Sequence, residues 1–82
     1  MKLWKIWQDV HSDWDTYDSA VVVAETEEQA KLVHPGNYEV WDGTDETYSS
    51  WCASKDVHAE YIGEAKEGMK DRSVVCVSFN AG

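Results

Sequence analysis

The run Ala20-Val21-Val22-Val23-Ala24 is the longest uninterrupted apolar stretch in this 82-residue chain, and it constrains the fold more than any other feature. β-Branched side chains lose rotamer freedom in a helix but pack well on a pleated surface. Apolarity on both faces predicts a central strand over Ser19 to Glu25, covered on both sides. A second run, Val74-Val75-Cys76-Val77, predicts another strand over Ser73 to Phe79, lying beside the first or beside another inner strand. Neither run approaches the roughly 20 apolar residues of a membrane span. The start, MKLWKIWQDV, has no apolar region long enough for a secretion signal. A soluble protein of the cytoplasm, with no membrane contact, is expected.

The remaining elements follow from local chemistry. Lys2 to Gln8 alternates as a strand, with Leu3, Lys5 and Trp7 on one face and Trp4 and Ile6 on the other. Asp9 to Asp18 is polar and acidic, and reads as a loop longer than a tight turn requires. Thr26 stands three residues before Gln29, the spacing of a capping box, so a short helix is expected from there to about Val33. Glu27 and Glu28 suit its positive end, and Glu27 and Lys31 have the favourable i, i+4 spacing. Pro35 disfavours helical geometry at His34. The helix would lay Ala30 and Val33 on the sheet.

Tyr38 to Trp41 alternates weakly, and Asp42-Gly43-Thr44-Asp45 has turn chemistry. Ser54 is placed to cap one helical turn. Val57 to Ala65 alternates His58, Glu60 and Ile62 against Val57, Ala59 and Tyr61, as a strand does, and Glu67 to Arg72 is a polar turn around Gly68. The expected fold is α+β: a single domain over residues 1–82, with a mostly antiparallel sheet of four to five strands and one short helix on one face, in the order β-β-α-(β)-β-β. Trp4, Trp7, Trp41 and Trp51 read as core filling, which so short a chain needs. Trp14, between Asp13 and Asp15, reads instead as an exposed anchor.

Charge narrows the function. Seven Lys and Arg against sixteen Asp and Glu give a net charge of −9, a balance that argues against direct nucleic-acid binding. The acidity is regional. Residues 6–54 hold eleven carboxylates and one base, Lys31, for a local charge of −10. Such a patch speeds association with a basic surface, and nuclease clefts are basic because they hold polyanions.

No arrangement of residues marks catalysis. Asp13 and Asp15 open like a calcium loop, but the turn glycine is replaced by Asp18 and the twelfth ligand by Ala24. A looser divalent site among Asp9, Asp13, Asp15 and Asp18 is outweighed by a solvated acidic loop. His11, His34, His58, Cys52 and Cys76 lack zinc-ligand spacing. Cys76 in its apolar strand reads as a small buried hydrophobe, and Cys52 has no base near it in sequence. Two cysteines are too few for a secreted disulfide scaffold and read as reduced, buried thiols, although one pairing stays open. The five glycines are scattered, with no phosphate-binding loop. The expectation is no enzyme, no cofactor and no metal.

The stretch from Asp15 to Glu28, DTYDSAVVVAETEE, resembles a group of small phage and prophage proteins, as do His34-Pro35 and the ending Ser78-Phe79-Asn80-Ala81-Gly82. These begin with a similar Trp-Lys-Ile strand. The resemblance covers nearly the whole chain and implies an origin rather than an activity. A second resemblance is to the small anti-CRISPR proteins that occupy the HNH nuclease domain of type II-C effectors. That family has an early Tyr-Lys-Ile strand, a Tyr-Asp loop, an apolar strand, a Ser-Glu-x-Glu-Ala helix start and an aromatic-rich end, a pattern this chain resembles. There a loop aspartate helps dock the inhibitor and a serine of the last strand reaches the nuclease's catalytic pair. The matching positions are Asp18 after Tyr17, or Asp15 after Trp14, and Ser78. The family's cysteine after that serine is Phe79 here, and the helix start differs as Thr26-Glu27-Glu28-Gln29-Ala30.

The function expected is therefore attachment: an acidic phage-type protein that inhibits a host defence or nucleic-acid-handling protein. Asp13, Asp15 and Asp18 would meet Lys or Arg, Trp14 and Tyr17 would anchor, and Ser78 and Asn80 at the end of the last strand would complete the surface. Two other classes are weighed. An oligomeric sponge for a nucleotide signal is disfavoured by the shortage of bases, Arg72 alone offering a bidentate grip. The other is a minor virion component. An exposed sheet edge would favour a homodimer.

Overall fold

The computed structural model describes residues 1–10, 16–36, 41, 43 and 51–80. Its elements are β1 (Lys2–Trp7), β2 (Thr16–Ala24), α1 (Glu27–Lys31), a 3-10 turn (Ser54–Asp56), β3 (His58–Glu64) and β4 (Val74–Asn80). The four strands form one antiparallel sheet in the order β3-β1-β2-β4. With one short helix on one face, this is the α+β architecture expected from the sequence. The weak Tyr38–Trp41 alternation and the turn at 42–45 lie outside the described residues, save Trp41 and Gly43.

Strand alternation sorts the side chains of β1 as its sequence implies. Ile6 pairs with Ala20, Trp4 with Val22 and Lys2 with Ala24. Ile6, Ala20, Val22 and Ala24 join Ala30, Val33, Trp51, Cys52 and Val57 in the core. Trp51 is wholly buried, and Trp4 and Trp41 pack against the core, as core filling requires. Trp4 also donates its indole N–H to the Ala24 carbonyl at 3.0 Å. Trp7 departs from that expectation: it lies half-buried on the opposite sheet face, where it stacks on His58 at 5.3 Å.

The helix begins as its cap residues dictate. The Gln29 N–H donates to Thr26 Oγ1 at 3.2 Å. The Gln29 side chain reaches back to the N–H of Glu25, one residue before the cap. Glu27 and Lys31 form the i, i+4 ion pair at 3.7 Å. The helix ends at Lys31, two residues short of the sequence estimate, yet Ala30 and Val33 are both buried.

Several further sequence expectations are corrected. First, β2 begins at Thr16, so Thr16, Tyr17 and Asp18 are strand residues rather than part of a loop. Second, β4 lies beside β2 as expected, but as the outermost strand of the described sheet, with Val75, Val77 and Phe79 exposed. An apolar run reports β propensity but not which strand ends up outermost. Third, Cys76 is exposed and Cys52 is buried, both as free thiols. In β3, Ile62 falls at a register shift and is exposed, so the alternation expected there holds only from His58 to Tyr61.

The connection from β3 to β4 crosses the end of the sheet. Along it, Ala65 N–H donates to the Met1 carbonyl at 2.9 Å, and Arg72 N–H to the Val23 carbonyl at 2.7 Å. Among the described residues, no helix is long and apolar enough to cross a membrane.

Candidate functional site

Antiparallel pairing of β2 with β4 sets the start of one strand against the end of the other. Thr16 pairs with Asn80, Tyr17 with Phe79 and Ser19 with Ser78. Asp18 has no partner of its own in this ladder, since the register shifts between Tyr17 and Ser19. Such an extra residue is a β-bulge, which bends a strand and re-aims a side chain. Here it leaves the Asp18 carboxylate exposed next to Ser19, whose ladder partner is Ser78.

Gln8 fixes this end of the sheet. Its backbone N–H donates to the Asp18 carbonyl at 3.3 Å, and its side-chain Nε2 donates to the Tyr17 carbonyl at 3.0 Å. Its Oε1 accepts from Val10 N–H at 2.7 Å. Gln8 is buried, so these bonds offset the cost of removing its amide from water.

Below the bulge lies a chain of rings. Tyr17 stands 4.7 Å from Phe79 and edge-on to His34 at 6.2 Å, and His34 stands edge-on to Trp41 at 5.3 Å. His34 is buried, and its Nδ1 accepts the Gly36 N–H at 2.8 Å. Burial lowers its pKa from the ordinary histidine value. The acceptor role assigns the proton of the neutral ring to Nε2.

On the other face of the sheet an open groove runs past Lys5, Ser19, Val21, Cys76 and Ser78. Lys5 Nζ lies 5.7 Å from the centre of the Trp7 ring, on whose indole His58 stacks. Asp9 stands 3.8 Å from His58 Nε2. One ammonium, two hydroxyls and a thiol on an open groove can hydrogen-bond a passing polar group but do not enclose a ligand. Among the described residues, no three His, Cys, Asp or Glu side chains converge as metal ligands.

Of the residues the sequence singled out, the structure brings Tyr17, Asp18 and Ser78 to one end of the sheet, with the Asn80 backbone beside Thr16. Asp13, Trp14 and Asp15 lie outside the described residues, as does the Asn80 side chain. Tyr17 is half-buried and commits its ring to Phe79 and His34. Gln8 and His34 were not foreseen here. Their polar type at buried positions was the available signal, but only the fold shows them buried.

No protein-family model, curated protein or solved structure matches the chain.

Proposed function

We propose that this chain is a binding protein, which docks the Asp18 end of its sheet on a basic protein surface and thereby blocks it. The observation that carries this is the β2–β4 register, which sets a bulged, exposed aspartate beside Ser78 on a framework tied down by Gln8. The acidic segment that holds Asp13, Trp14 and Asp15 leads directly into that bulge. A carboxylate presented from a strand loses less conformational freedom on binding than one on a free loop.

The finer form of the proposal names the target as a host nuclease or other defence or nucleic-acid-handling protein, met in the bacterial cytoplasm. It is supported by the regional charge and by the sequence resemblances to phage and anti-CRISPR proteins. A polyanion cleft is a surface such a patch complements.

The test is capture from a host lysate with the wild-type chain and with Trp14→Ala combined with Asp15→Ala, followed by assay of the captured protein. The expected result is one dominant basic partner whose activity falls when the wild-type chain is added, and whose capture drops at least about tenfold with the double variant. Equal capture by both chains refutes the site. Capture without any loss of partner activity refutes inhibition.

A further inference from the structure

We draw no further inference here: the strongest candidate, the open groove past Lys5, Ser19, Val21, Cys76 and Ser78 on the sheet face away from the helix, offers one exposed thiol beside one ammonium, and nothing in the structure shows what covers it.

Discussion

Tyr17 and Phe79 face each other across the β2–β4 ladder with ring centroids 4.7 Å apart and planes tilted by 58°. Their contact joins the residue before the Asp18 bulge to the end of the last strand. Aromatic pairs of this kind contribute about 0.5–1.5 kcal/mol beyond their buried area. A double-mutant cycle with Tyr17→Leu and Phe79→Leu in urea denaturation should return a coupling energy in that range. A coupling near zero would mean that the rings are neighbours without energetic consequence.

The bonds made by Gln8 should weigh as much as an apolar core contact. Gln8→Leu keeps the approximate volume but leaves the Tyr17 carbonyl and the Val10 N–H without their side-chain partner. A loss of about 1–3 kcal/mol is expected. Gln8→Glu retains an acceptor for Val10 and turns a carboxylate oxygen toward the Tyr17 carbonyl, so it should destabilise as well. Hydrogen exchange should show the loss concentrated at the start of β2.

His34 makes stability depend on pH. Its folded pKa is lowered by burial, so below about 6.5 the unfolded chain binds a proton that the folded chain resists. The His34 contribution is fully present above that value. It falls as pH drops through about 6.5, by at most about 1.4 kcal/mol per pH unit, and levels off once the folded ring also protonates. Denaturation midpoints from pH 8 to pH 5 check this. His34→Gln should lower stability at pH 8 and remove this part of the pH dependence.

Thr26→Ala removes the acceptor for Gln29 N–H at the start of a five-residue helix. About 1 kcal/mol should be lost, whereas Thr26→Ser should be close to neutral, since serine caps equally well. Thermal melts of the three proteins give the comparison.

The cap at Thr26, the β2 run and the two faces of β1 were legible in the sequence because each is decided within a few residues. Capping geometry and strand alternation are local physics. That β4 lies beside β2 was expected, but its outermost place was not legible, because Val74 to Val77 reads the same whether one or two strands flank it. That same ambiguity placed Cys76 inside when it is exposed. The Asp18 bulge had no signal either, since it arises from the mismatch of two strands far apart in the chain. Of the candidate site, Asp18 and Ser78 could be named from resemblance, but their proximity is a product of pairing. Gln8 looks like an ordinary strand-end polar residue until the fold buries it.

The central claim is attachment through carboxylates at the Asp18 end of the sheet. Its most direct measurement is the capture of a host protein by the wild-type chain and by Asp18→Lys, each at about 50 mM and about 500 mM salt. The account predicts a basic partner held by the wild type at low salt, released at high salt, and not captured by Asp18→Lys. Capture that is indifferent both to the charge reversal and to salt would contradict it.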